Sequence, residues 1–94
     1  MFRQVDADLT GKFVISKAGH DAGECYVVVS AAGNYLFIAN GKNRTIQKPK
    51  KKNRVHLFVT KQAVPDIGLL LKEKPEAGNT RLASYIKTFR KESE

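Results

Sequence analysis

With 94 residues and 41% hydrophobic side chains, the chain can build one domain around a modest core, which argues against global disorder. Its 17 Lys and Arg against 9 Asp and Glu give a net charge of +8, and the whole excess lies in one block: residues 25–65 hold eight cations and no carboxylate, and the remainder is neutral. A lone cysteine, Cys25, and two isolated histidines exclude a disulfide framework and a metal-ligand set, and favour a reducing, cytoplasmic setting with no metal or cofactor.

Residues 1–8 lack the long apolar run of a secretory signal. The longest apolar stretches, 26–29 and 35–39, are too short to span a bilayer, so no membrane partner is expected. Gly11 opens a β-branched and aromatic strand at 12–16, followed by a loop at 17–23 containing Gly19 and Gly23. The second strand, 26–30, is apolar throughout, which predicts burial on both faces. A Gly-Asn turn at 31–34 leads to a third strand at 35–39, closed by the hairpin pair Asn40-Gly41. A weak fourth strand is expected at 45–47, before Lys48-Pro49. The fifth is expected at 55–60, with Val55, Leu57 and Val59 on one face and His56 and Phe58 on the other.

Five short strands with tight turns predict a mainly β fold: a small antiparallel meander closed into an SH3-like barrel, since closure removes exposed edges. A five-stranded oligonucleotide-binding barrel is the competing shape, but it needs longer strands and more chain. Beyond residue 60, the segment 63–75 is interrupted by Pro65, Gly68 and Pro75, and Asp66 could cap a helical turn through Leu71. A better helix is expected to start at Asn79 or Thr80 and run to 92. There Leu82, Tyr85, Ile86 and Phe89 form one apolar stripe suited to docking on the same domain.

The segment 11–29 carries Gly11, Val14, Gly19, Gly23 and Val27 to Val29 at positions that resemble the KOW motif. The wider frame is an Asn-Tyr-Leu-Phe-Ile-Ala-Asn-Gly-Lys strand and turn, a basic loop, then Asn-Arg-Val-His-Leu. It is similar to the KOW domain of large-subunit ribosomal proteins and of small bacterial KOW RNA-binding proteins. The resemblance covers residues 7–60 and implies an SH3-like KOW barrel there, with 61–94 as a C-terminal extension. It also implies structured ribosomal RNA as ligand, a ribosome-associated role in translation, and ribosomal proteins as further partners.

The candidate interface combines two loops. In 17–23, Lys17 and His20 offer charge and hydrogen bonds, His20 and Asp21 stand at the tip, and Gly19 and Gly23 allow a tight bend near a phosphate. In 41–54, Gly41 sets the turn and Lys42, Lys48, Lys50, Lys51 and Lys52 are suited to track successive phosphates of an extended strand. Arg44 and Arg54 can grip phosphate or stack on a base, while Asn43 and Asn53 can reach base edges or serve their turns. Tyr35 is a candidate base-stacking side chain. Replacing Lys50, Lys51 and Lys52 by Ala is expected to leave the fold intact.

No phosphate-binding loop, zinc-protease motif or Cys-His-Asp set is present, and Asp6 and Asp8 make no convincing catalytic pair. The expectation is a non-enzymatic RNA-binding protein. The rival reading is a protein-interaction module of the transcription-elongation or ribosome-assembly type.

Overall fold

The computed structural model describes residues 9–93; Asp6, Asp8 and the start of the 7–60 unit lie outside the described residues. Five strands, β1 (Lys12–Ser16), β2 (Cys25–Ala32), β3 (Tyr35–Ala39), β4 (Lys50–Asn53) and β5 (Leu57–Ala63), precede two helices, α1 (Ile67–Lys72) and α2 (Pro75–Ser93). The strands form one antiparallel sheet in the order β4-β3-β2-β1-β5. The expected ring of backbone pairing is not closed: β4 and β5 are the two edges of an open sheet.

The sheet is nevertheless strongly curled. Laid flat, its two edges would stand roughly 19 Å apart at the usual strand spacing. Yet β4 and β5 are consecutive in the chain, joined only by a 3-10 turn at Arg54–His56. Four residue steps span at most about 14 Å fully extended, and about 8 Å in 3-10 geometry. A register shift between Val28 and Ser30 in β2, and another between Lys12 and Val14 along the β1–β5 ladder, supply local bending.

Curling gives the sheet two buried faces, as the continuous apolarity of β2 predicts. Tyr26 and Val28 join Val14, Leu36, Ile38 and Leu57 in a cluster that the sheet encloses by itself, with Leu9 at its edge. Cys25 and Val27 join Phe13 and Ala39 on the outer face, where Leu82, Ile86 and Phe89 of α2 cover them. Phe13 and Phe89 stack with centroids 4.2 Å apart and planes within 4°. The apolar stripe of α2 therefore docks on its own sheet, with Leu82, Ile86 and Phe89 buried and Tyr85 half-buried.

Three expected boundaries are corrected. The fourth strand lies at Lys50–Asn53 rather than 45–47, because the backbone N–H of Ile46 donates to the Asn79 side chain (2.9 Å) instead of to a strand partner. The fifth starts at Leu57, since Asn53 accepts from the Val55 N–H and winds Arg54–His56 into the 3-10 turn; Val55 is left 67% exposed instead of sharing the Leu57 face. Helix α2 begins at Pro75, whose fixed φ and missing N–H suit a first helical turn. Asn79 is consequently inside the helix and bridges to a loop. Helix α1 forms where expected, but Asp66 lies in the left-handed region (φ 55) and makes no side-chain cap. No helix among the described residues is long and apolar enough to cross a membrane.

Candidate nucleic-acid interface

The period-2 geometry of a strand decides what the lysine run does. In β4, Lys50 and Lys52 lie opposite Ile38 and Leu36, whereas Lys51 and Asn53 lie opposite Phe37 and Tyr35. Adjacent lysines therefore leave opposite faces of the sheet. Lys51 is exposed, with its ammonium 4.5 Å from the centre of the Tyr35 ring, a cation–π contact on the outer surface. Lys50 and Lys52 turn the other way, onto Asp21 of the first loop.

Asp21 is the organising group of this end of the molecule. Its Oδ1 accepts from Lys52 (2.7 Å) and from the Ser16 hydroxyl (2.9 Å), and its Oδ2 accepts from Lys50 (2.8 Å) and the Tyr26 phenol (3.1 Å). Four donors occupy all four lone-pair sites of one carboxylate. The Lys52 ammonium also uses its three donors, reaching Asp21, Ser16 Oγ (2.7 Å) and the Ala18 carbonyl (2.9 Å). Side-chain exposure is 12% for Asp21 and 10% for Lys52 but 30% for Lys50. Desolvation pushes the Asp21 carboxyl up, but hydrogen bonds from Lys50, Lys52, Ser16 and Tyr26 outweigh it and hold it well below the usual carboxylate range. Burial, together with the Asp21 charge, pushes the Tyr26 phenol up to about 12.

Two expectations change as a result. Asp21 spends its acceptors on the chain itself, as a clamp in the cleft wall rather than a free tip residue, and the lysine run is not one continuous track of phosphate contacts. Part of the block's counter-charge is already supplied within the chain. Gly19 (φ +85) and Gly23 (φ +88) do carry the tight bend that brings Asp21 inward. No sequence signal distinguishes Asp21 from a solvated loop acid; its role needs β4 and loop 17–23 side by side.

The second loop is built around Asn40. Its Oδ1 accepts from the backbone N–H of Lys42 (2.9 Å) and Arg44 (3.1 Å), and its amide donates to Asn43 Oδ1 (2.8 Å). Asn40-Gly41 thus organises a wide loop reaching β4, not a two-residue hairpin. A Cβ on Gly41 would collide with the carbonyl oxygen of Asn79, so α2 seats directly against the loop. Asn79 completes that seat by donating to Gln47 Oε1 (2.8 Å) and accepting from Ile46.

Of the predicted contact residues, His20, Asn43, Arg44 and Lys50 converge on one cleft of about 330 Å³ between the two loops. Asp21, Glu24, Tyr26 and Asn40 complete its wall. Lys42 lines the neighbouring groove against α2. Lys17 and Lys48 are exposed outside both clefts, and Lys51 is on the outer sheet face. Asn53 spends its side-chain oxygen on the Val55 N–H, and Arg54 is exposed in the 3-10 turn with its N–H on the Asn34 carbonyl. Cys25 is buried and its thiol is pushed up to about 11 by burial, the state of a packed hydrophobe rather than a nucleophile. No family model matches this sequence, and a search of curated proteins returns no match.

Proposed function

We propose that this chain is a non-enzymatic RNA-binding protein of the KOW type, built on a partly open SH3-like barrel and directed to structured ribosomal RNA in translation. For the barrel, the support is the return of β5 to β1, the three-residue link across the open edge, and the self-enclosed cluster around Val14, Val28 and Ile38. For the ligand, the carrying observation is the convergence of His20, Asn43, Arg44 and Lys50 from two separate segments on one cleft. Arg44 supplies a fork for phosphate, His20 and Asn43 supply shorter-range hydrogen bonds, and the Asp21 clamp holds both loops in place. Phosphate contacts contribute most of the affinity, and loop shape contributes selectivity.

Titrating the protein with a ribosomal RNA stem-loop at increasing salt tests the reading. Each engaged phosphate adds a slope of about −0.7 to −0.9 in log K against log salt. Arg44→Ala should weaken binding and flatten that slope by roughly one such unit. A protein that ignores folded RNA at low ionic strength, or an Arg44→Ala variant with affinity and slope unchanged, refutes it. Matched duplex DNA as competitor tests whether the sugar matters. A protein-interaction module is the second reading, favoured by Val55 (67% exposed) and Phe58 (58% exposed) beside the unpaired edge of β5. That reading predicts a complex whose affinity is nearly flat in salt.

A further inference from the structure

The groove between α2 and the start of β2 has a volume of about 650 Å³ and is not accounted for by the two-loop interface. Its charged lining is Lys42 from the Asn40 loop, Lys87 and Arg90 from α2, and a single acid, Glu24. Thr80 and Ser84 add hydroxyls along the same side of the helix. Glu24 and Asn40 line both this groove and the 330 Å³ cleft, so the two depressions share a rim. Helix α2 is fixed at both ends of that rim: Gly41 and Asn79 meet at one, and Arg90 donates to the Gly23 carbonyl (3.3 Å) at the other.

We infer that α2 is the second wall of the RNA interface: the groove receives the sugar-phosphate strand as it leaves the loop cleft, with Lys42 and Lys87 on phosphates and Ser84 and Thr80 on phosphate or 2′-hydroxyl oxygens. This rests on the RNA reading above and extends it to the helix. Three cations against one carboxylate give the groove a net positive field, and exposed Lys87, Ser84 and Thr80 pay no folding cost for pointing into it. The rigid seat of α2 on the sheet fixes the width between helix and loops, so the strand meets a preformed channel. Glu24, on the shared rim, is the groove's one group that repels phosphate.

The test uses the full chain and the same ribosomal RNA stem-loop, followed by salt titration. Lys87→Ala should lose roughly ten-fold or more in affinity, the effect of one charge-assisted contact, and flatten the salt slope by roughly 0.7–0.9. Ser84→Glu, which sets a carboxylate on the groove wall at an exposed helical position, should lose more. Lys72→Ala, an exposed lysine of α1 outside the groove, removes the same net charge and should stay within about two-fold of the parent, because charge far from the strand is screened. Equal effects for Lys87→Ala and Lys72→Ala overturn the inference. If Arg44→Ala weakens binding while Lys87→Ala and Ser84→Glu do not, only the groove is wrong. If the unaltered protein fails to bind the stem-loop, the RNA reading itself falls.

Discussion

Replacing Asp21 by Asn should be among the most damaging single changes on the surface of this protein. The side chain is 12% exposed and accepts four hydrogen bonds, two of them from lysines. Asparagine keeps the volume but removes the charge and turns one acceptor into a donor aimed at ammonium or hydroxyl groups. Lys50, at 30% exposure, can swing into water, so its loss of partner costs little. Lys52, at 10% exposure, cannot do so easily and becomes a largely buried cation. Breaking such a pair from one side costs about 3–5 kcal/mol. The Ser16 hydroxyl and Ala18 carbonyl still accept from Lys52, which points to the lower end, about 3 kcal/mol. For a domain of this size that corresponds to a fall in Tm of roughly 12–24 °C.

The same clamp has a pH signature. The folded Asp21 carboxyl binds its proton more weakly than the unfolded one, so its contribution is complete above the unfolded value near pH 4 and is lost as pH falls below it. Thermal melts of the parent and Asp21→Asn from neutral to acid pH check both points. The gap in Tm should be widest at neutral pH and shrink below about pH 4. A Lys52→Met change added to Asp21→Asn should recover part of the loss, because the stranded charge is then gone. An Asp21→Asn protein that melts within 1–2 °C of the parent at neutral pH would refute the clamp.

The three lysines of β4, equivalent in sequence, should separate in experiment. Lys51→Ala, which removes a charge outside both clefts, should keep the Tm and change RNA affinity by no more than about two-fold, whereas Lys52→Ala should lower the Tm; the triple Ala variant is therefore expected to be destabilised rather than intact. Gly41→Ala should cost more than Gly23→Ala in thermal melts, although both positions have positive φ, because only at Gly41 would a Cβ collide with the Asn79 carbonyl. Equal losses would remove the close helix–loop approach from the account. Phe89→Ala deletes a buried ring stacked on Phe13 and should cost about 3–5 kcal/mol in denaturant unfolding. Cys25 should react slowly with thiol reagents at pH 8 in the folded protein and rapidly in denaturant; fast labelling of the native chain would contradict its raised thiol.

The first three strands, the second loop's basic character and the docking face of α2 were readable in the sequence, because each depends on local composition or periodicity. The 12–16 and 35–39 strands are found where alternation and β-branching put them, and the Leu82, Ile86 and Phe89 stripe packs as its spacing requires. The fourth strand was not readable: three consecutive lysines carry no apolar alternation, and their strand state follows from pairing with β3. Nor was the role of Asn79, which resembles a helix cap in sequence and becomes a bridge only when α2 meets the loop at 46–47.

The sequence by itself determined that this protein concentrates its positive charge in one carboxylate-free block between apolar strands, since covalent order alone sets that segregation. Only the tertiary structure decided which of those charges face outward. A strand alternates its side chains, and a carboxylate about thirty residues away waits on one face of it, so Lys50 and Lys52 are drawn in while Lys51 remains on the surface.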